Sequence, residues 1–284
     1  MFTIAHALLW AREQLNFHSV SDDGFHDSTA VDSKVLLAAC LQREVVYLHT
    51  WPEKLLDRSQ MKKFQDYITQ RSLGHPVAHI IGYRDFWSLR LKVSPATLIP
   101  RSETELLVEI ALTLNLTEDS KVLDLGTGTG AIALALASEN SHWSVTGLDK
   151  STQAVALAKD NAIMNNLEIV NFIQSDWFSG VEGQLFDLIV TNPPYIENNN
   201  HYLQQGDVRF EPSSALTSGM DGLDDIRSIV SQSKHYLSDN GWLLIEHGYQ
   251  QSAQVTDILR AHGFNQIRSE LDLNGLPRVS MGCN

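Results

Sequence analysis

Val122-Leu123-Asp124-Leu125-Gly126-Thr127-Gly128-Thr129-Gly130 is a short apolar run that stops on three glycines at alternate positions, followed at once by the helix-forming stretch Ala131–Ser138. The run has the length and composition of a buried strand. The glycines let the backbone turn tightly and approach a ligand without Cβ contacts. The helix beyond them presents its free N–H groups at the same spot. A dinucleotide-binding turn would space its glycines G-x-G-x-x-G around a pyrophosphate. Here the spacing is G-x-G-x-G, and the Asp124 carboxylate stands just ahead of the first glycine, where it suits an ammonium group better than a phosphate. A glycine-rich turn with no ligand is the alternative that this stretch alone leaves open.

Downstream the strand–turn–helix pattern repeats. Ser144–Leu148, Ile169–Gln174, Leu185–Thr191 and Trp242–Glu246 read as strands, with further strands around Gln266–Glu270 and Val279–Met281. Helical spacing covers Ser151–Asn165, the neighbourhood of Leu223–Leu237, and about Gln250–Ala261. Such alternation predicts an α/β fold, a mostly parallel, Rossmann-like sheet covered on both faces. Ligands of such sheets bind beyond the carboxyl ends of the strands, where strand order reverses.

Upstream the character differs. Residues 1–83 read as a small helical bundle, with Ser33–Leu41 an apolar run of good helix formers, Met61–Arg71 carrying apolar residues at three- and four-residue spacing, and Ser19–Thr29 a polar, acidic loop. In Phe86–Val93, Leu89, Leu91 and Val93 alternate with Arg90 and Lys92, the period of a half-buried strand. The expected organisation is therefore a helical docking domain over 1–83, a β-hairpin linker over 84–100 and a ligand-binding catalytic domain over 101–284.

Composition bounds the function. The 284 residues carry a net charge of −13, and nearly all of it falls after the first domain: residues 84–284 hold 13 basic and 25 acidic side chains. An acidic catalytic segment is poorly suited to neutralising phosphates, so no direct nucleic-acid binding is expected; a basic protein partner suits it better. No apolar run reaches a membrane span and the first residues lack the features of a signal peptide, so a cytoplasmic monomer is the expectation. Cys40 and Cys283 are far apart and form no C-x-x-C; Cys40 reads as a buried, inert thiol. His75 and His79 are four apart, a spacing that can bind zinc on a helix, but Pro76 breaks the helix there and no third ligand is near in sequence. No metal is expected.

Three further features carry chemistry. Asp149 ends Ser144–Leu148, where a carboxylate can accept both hydroxyls of a ribose or, alone, cap the next helix. Trp177, in Gln174-Ser175-Asp176-Trp177, can pack on an adenine ring while Asp176 accepts from its amino group. Asn192-Pro193-Pro194-Tyr195 follows the strand ending at Thr191. Its prolines fix φ and remove two N–H donors, leaving carbonyls that only accept. The Asn192 oxygen and the Pro193 carbonyl can then converge on one planar NH2 group, with Tyr195 as a face for it to stack on.

Together Asp124–Gly130 and Asn192–Tyr195 resemble the class I methyltransferases that act on exocyclic or amide nitrogens. Gly74–Gly82, Leu98-Ile99-Pro100-Arg101-Ser102-Glu103-Thr104-Glu105 and Gln205–Pro212 narrow the likeness to the HemK family, whose members methylate a glutamine of peptide chain release factors. The resemblance runs over nearly the whole chain. It departs at Ser102, where the family usually has proline, and in the acidic loop Ser19–Thr29, which is longer than usual. It implies S-adenosyl-L-methionine as cofactor, held by Gly126, Thr127, Gly128, Thr129 and Gly130, with Asp149 on the ribose, Trp177 near the adenine, and Asn192 beside the transferred methyl. It implies Asn192, Pro193, Pro194 and Tyr195 as the substrate pocket, Asn192 as the catalytic residue, and the Gly-Gly-Gln loop of a release factor as the target.

An amide nitrogen is a poor nucleophile. Acceptors on both of its N–H groups turn its lone pair toward the donor and offset the charge that grows during transfer; no dedicated general base is evident. Within the enzyme class, a methyltransferase of a ribosomal-protein glutamine would use the same four residues. An adenine-N6 DNA methyltransferase would need a flipped base and a basic reading surface. A non-catalytic nucleotide-binding module leaves Asn192–Tyr195 without purpose, and an oxidoreductase lacks its glycine spacing.

Overall fold

The computed structural model describes residues 2–18 and 28–284, so the acidic loop, up to residue 27, lies outside the described residues. The chain forms two compact units, residues 1–82 with 205–210, and residues 83–204 with 211–284.

The first unit holds α1 (Ile4–His18), α2 (Thr29–Leu41), α3 (Val45–Thr50), α4 (Arg58–Ser72) and α5 (Val77–Ile81). Each long helix turns one apolar stripe inward: Ile4, Ala7, Ala11 and Leu15 meet Leu36 and Leu37 of α2 and Phe64 and Ile68 of α4 in one core. A capping box starts α4, with Asp57 accepting from the Gln60 N–H and the Gln60 side chain accepting from the Asp57 N–H. Cys40 is buried in this core with its thiol donating to the Gln60 carbonyl, and burial raises its pKa. Buried Arg71 bonds Asp32 and Asp207, each at 2.7 Å. His75 lies ahead of α5 and packs its ring on Phe210 at 4.5 Å, so it shares no helical face with His79. Among the described residues no cluster of His, Cys, Asp and Glu is arranged to hold a metal ion, and no helix is long and apolar enough to cross a membrane.

The second unit opens with an antiparallel hairpin, β1 (Tyr83–Phe86) and β2 (Leu89–Lys92), joined by Trp87-Ser88. There follow α6 (Glu105–Thr113), β3 (Lys121–Leu125), α7 (Ala131–Glu139), β4 (Ser144–Asp149), α8 (Thr152–Met164), β5 (Asn171–Gln174), β6 (Phe186–Thr191), α9 (Asp224–Ser233), β7 (Leu237–Glu246), α10 (Ser252–Ala261), β8 (Asn265–Leu271) and β9 (Pro277–Cys283). They build one seven-stranded sheet in the order β5-β4-β3-β6-β7-β9-β8. Its first five strands run parallel, and β9 alone runs the other way, pairing antiparallel with both β7 and β8. The central strands β3 and β6 are mostly apolar because both faces are covered, with Asp124 and Thr191 the buried polar exceptions. Val122, Leu188, Val190 and Leu244 face one core with α7 and the hairpin, while Leu123, Ile189, Leu243 and Ile245 face the other with α9 and α10.

Three boundaries differ from the sequence expectation. The helix expected near Leu223–Leu237 ends at Ser233, because the Tyr236 carbonyl already accepts from Phe186 N–H and Leu237 pairs with Phe186. Strand β7 thus begins five residues earlier than Trp242, through the polar Ser238-Asp239-Asn240 where its register slips and Asn240 takes a φ of 62°. Strand β5 starts at Asn171, since a turn bond from Val170 N–H to the Leu167 carbonyl leaves Ile169 exposed.

One side chain ties the hairpin to the sheet. Buried Asn161 of α8 accepts from Lys92 N–H at 2.7 Å and donates to the Lys92 carbonyl at 3.1 Å and to the Thr129 carbonyl at 2.9 Å.

Candidate active site

The glycine loop and Asn192–Tyr195 leave the sheet side by side. Leu125 at the end of β3 pairs with Thr191 at the end of β6, and the Thr191 hydroxyl donates to the Leu125 carbonyl at 2.8 Å. Strands β4 and β5 lie to one side of this pair and β7 to the other, so strand order reverses at this point, where open α/β sheets bind ligands. A cavity of about 450 Å³ opens there, within the range of small-molecule sites. Of the expected residues its wall holds Gly126 to Thr129, Asp149, Trp177, Asn192 and Pro194, whereas Gly130, Pro193 and Tyr195 do not line it.

Gly126 leaves β3 at a φ of 72°, and a Cβ there would stand 3.7 Å from the Trp177 ring, narrowing the cradle. Gly130 has a φ of 83°, and its Cβ would meet Phe172, Ala158 and Leu134 at 3.1–3.2 Å. It is the point where α7 packs hard under the loop, which explains a glycine off the cavity wall.

Asp124 does not reach the ligand space. Fully buried beneath the loop, its Oδ2 accepts from the Thr127 hydroxyl at 2.6 Å and from Ala133 N–H at 3.2 Å. Its Oδ1 is buried without a hydrogen bond among the described residues, and burial pushes its pKa up to about 7. The expectation that this carboxylate faces an ammonium group is therefore corrected: two residues ahead of Gly126, its side chain points under the glycines and props them.

Asp149, at the end of β4, accepts from Gly128 N–H at 2.9 Å and Ser151 N–H at 2.8 Å. The cap of α8 is Ser151, which accepts from Ala154 N–H, so Asp149 is left to hold the loop and face the cavity. Burial raises its pKa. Trp177 sits half-buried on the wall at a φ of 47°, a region that costs a non-glycine residue on the order of 1–2 kcal/mol. The Ser175 hydroxyl holds it there by donating to the Trp177 carbonyl at 2.6 Å. Asp176 is exposed at the rim, paired with Lys150 at 2.8 Å.

Asn192 is half-buried on the wall, and its Nδ2 donates to the Thr104 hydroxyl at 3.1 Å. Tyr195 turns the other way, into the core of α9 and α10, with its hydroxyl donating to Glu246 Oε1 at 3.4 Å. Burial, then the neighbouring Glu246, raises the Tyr195 pKa. Glu246 itself, at the end of β7, is fully buried, and burial pushes its carboxyl to about 7 against the stabilising hydroxyls of Thr104 and Tyr195.

Thr104, Glu246 and two more residues escaped sequence reasoning. Arg101, also on the wall, donates to both carboxylate oxygens of buried Glu211 at 2.8 Å, a pairing across 110 residues. Arg101 and Thr104 lie in the stretch Leu98–Glu105 that carried the family likeness, but nothing local assigned them partners. Thr97 is buried on the wall, and among the described residues its Oγ1 has no hydrogen bond. That orphaned hydroxyl, the Asp149 carboxylate and the Trp177 face together fit a ligand with a flat ring and polar arms. Ser102 is exposed and off the wall.

The chain is similar to known proteins along its whole length. Residues 6–82 match the PrmC N-terminal domain and residues 102–210 the methyltransferase small domain. It is 51% identical to the release factor glutamine methyltransferase of Pseudomonas aeruginosa, over 90% of this chain and 92% of that one. It is 49% identical to that of Shewanella oneidensis, over 98% and 95%, and 48% identical to that of Vibrio cholerae, over 99% and 96%. Among solved structures, a Pyrococcus furiosus methyltransferase superimposes with a TM-score of 0.53 at 16% identity, covering 77% of this chain and 96% of that one. The hMettl16 catalytic domain in complex with MAT2A 3′UTR hairpin 1 gives 0.56 at 13% identity, covering 88% and 90%. These two likenesses establish the class I methyltransferase fold.

Proposed function

Because this chain belongs to the release factor glutamine methyltransferase family, we propose that it transfers a methyl group to the side-chain amide nitrogen of the glutamine in the Gly-Gly-Gln motif of peptide chain release factors. The observation that carries this reading is Asn192 on the cavity wall with its Nδ2 already engaged by Thr104. Its Oδ1 is left as an acceptor, and no described residue donates to it.

S-adenosyl-L-methionine is the cofactor this site suits, and when bound it supplies a methyl group made electrophilic by the adjoining sulfonium. The backbone from Gly126 to Thr129 would hold its amino-acid end, with Gly130 packed beneath the loop, Asp149 would accept from the ribose hydroxyls, and the Trp177 face would take the adenine. Asn192 Oδ1 and the Pro193 carbonyl accept the two N–H bonds of the substrate amide. Bonds so directed hold the nitrogen lone pair toward the methyl and become stronger as positive charge builds on nitrogen, the condition for accelerating the step. Pro194 closes the wall beside Asn192, and Pro193, with its φ fixed, keeps its carbonyl from turning away. Tyr195 supports the pocket from the core, its ring held by Glu246 and its stacking face removed from the cavity.

The first unit, matched by the PrmC N-terminal domain, is the element we assign to docking the release factor. The test is mass spectrometry of the Gly-Gly-Gln peptide of a release factor after incubation with this protein and S-adenosyl-L-methionine. A single methyl on the glutamine supports the assignment. An unmodified glutamine there, with a methylated glutamine on a ribosomal protein in a parallel reaction, moves the enzyme to that other substrate.

A further inference from the structure

We propose that Thr104 and Glu246 are positioning residues that set the donor–acceptor sense of Asn192, so that its carbonyl oxygen and not its amino group faces the cavity. The inference rests on the reading of Asn192 as the acceptor for a substrate amide.

The two ends of an asparagine amide have nearly the same shape, so the fit of the side chain does not decide which end meets the ligand; the hydrogen-bond network does. The choice matters here. An amino group turned to the cavity would set donor against donor with a substrate NH2, and the acceptor on which the methyl transfer depends would be lost.

The sense is imposed from behind. Glu246 is completely buried at the end of β7, next to the hydroxyls of Thr104 and Tyr195. Tyr195 donates to its Oε1, and its Oε2 has no hydrogen bond among the described residues, leaving an acceptor open. A carboxylate only accepts, so a hydroxyl facing it turns its proton inward. Thr104 has one proton. Once that proton is directed to Glu246, only oxygen lone pairs remain toward Asn192, and only Nδ2 can meet them, at the observed 3.1 Å. Asn192 Oδ1 is then fixed toward the cavity. The chain of direction runs from a buried carboxylate, through one hydroxyl, to the amide that touches substrate.

The experiment compares kcat and KM of the wild-type enzyme with Thr104→Val, Thr104→Ser and Glu246→Gln, using a release factor bearing the Gly-Gly-Gln loop and saturating S-adenosyl-L-methionine. Cofactor Kd and Tm are measured on each. Thr104→Val keeps the shape and removes the hydroxyl; its kcat should fall about tenfold, the rate equivalent of one net hydrogen bond, with cofactor Kd and KM within about twofold of wild type. Thr104→Ser restores the hydroxyl and should recover most of that loss, which mere packing of the threonine methyl would not. Wild-type kcat in Thr104→Val, or equal losses in the serine and valine variants, overturns the proposal. Should Thr104→Val melt below the assay temperature, Glu246→Gln decides: its amide can donate to Thr104 and reverse the relay, so kcat should again fall, and an unchanged kcat overturns the proposal. A wild-type enzyme that leaves the release factor unmodified sinks the functional reading instead, and is told apart by failing before any variant is compared.

Discussion

The Asn192 side-chain amide is anchored by the Thr104 hydroxyl at 3.1 Å, across 88 residues of chain. The strand before Asn192 is in the middle of the sheet and the turn that carries Thr104 precedes α6, so the acceptor is held between two rigid elements rather than on a free loop. Preorganised groups of this kind dominate when removed from an active site. Asn192→Ala is expected to lower kcat by about a hundredfold or more, with cofactor affinity nearly unchanged. Single-turnover methylation of a release factor checks it, and near-normal turnover would exclude Asn192 from the chemistry.

Asp149 acts on the other half of the cavity. Replacing it with alanine removes the acceptor for both Gly128 N–H and Ser151 N–H together with the proposed ribose contact. Losing charge-assisted bonds of this type should weaken S-adenosyl-L-methionine by about ten- to a hundredfold. Calorimetric titration measures it, and a Kd within twofold of wild type would place the ribose elsewhere.

Gly130→Ala tests the packing under the loop rather than the wall. The backbone stands at a φ of 83°, and the added methyl would press on Phe172, Ala158 and Leu134 at 3.1–3.2 Å. Strain and overpacking together should cost about 2–4 kcal/mol of stability, read as a lower midpoint in denaturant with unchanged slope. An unshifted midpoint would mean the loop relaxes freely.

Glu246 and Asp124 give stability an inverted pH dependence. Burial raises both carboxyls to about 7, above the ordinary carboxylate range, so between about pH 4.5 and 7 the folded protein keeps protons that the unfolded chain has released. Stability from these two sites is therefore present at low pH and lost as pH rises through 7. In Glu246→Gln one of the two contributions disappears, and the variant's Tm relative to wild type should rise between pH 5 and pH 8. The same titration bears on rate. Glu246 is faced by Thr104, Tyr195, Arg278 and Glu103, and it becomes an obligate acceptor only when ionised. The wild-type kcat should climb through about pH 7, and the part of that limb due to Glu246 should be missing in Glu246→Gln. A limb identical in both proteins would assign it to Asp124 or to substrate.

Much of the architecture could be read from the chain because its signals are local. Alternating short apolar runs and helices predicted the parallel sheet, and the glycines of Gly126–Gly130 and the prolines of Asn192–Tyr195 marked strand ends that do lie next to each other. What could not be read was set by distant partners. Glu246 looks like the polar end of an apolar strand, and only the folded sheet brings it to Thr104 and Tyr195. Asp124 was assigned to a ligand on position alone, although the turn of the glycine loop sends its side chain inward. The start of β7 was missed because Ser238-Asp239-Asn240 has no strand periodicity; its pairing comes from Phe186.

The reach of Asn161 has a practical corollary for anyone building chimeras of this family. Its single amide grips both the hairpin backbone at Lys92 and the glycine loop at Thr129. A hairpin transplanted from a relative must arrive with a matching residue on α8, or the graft will disturb the cofactor end of the enzyme even though no cofactor-facing residue has been exchanged. Domain shuffling here should cut between residues 82 and 83, ahead of the hairpin, carry residues 205–210 with the first unit to which they belong, and leave hairpin and α8 to travel as one cassette.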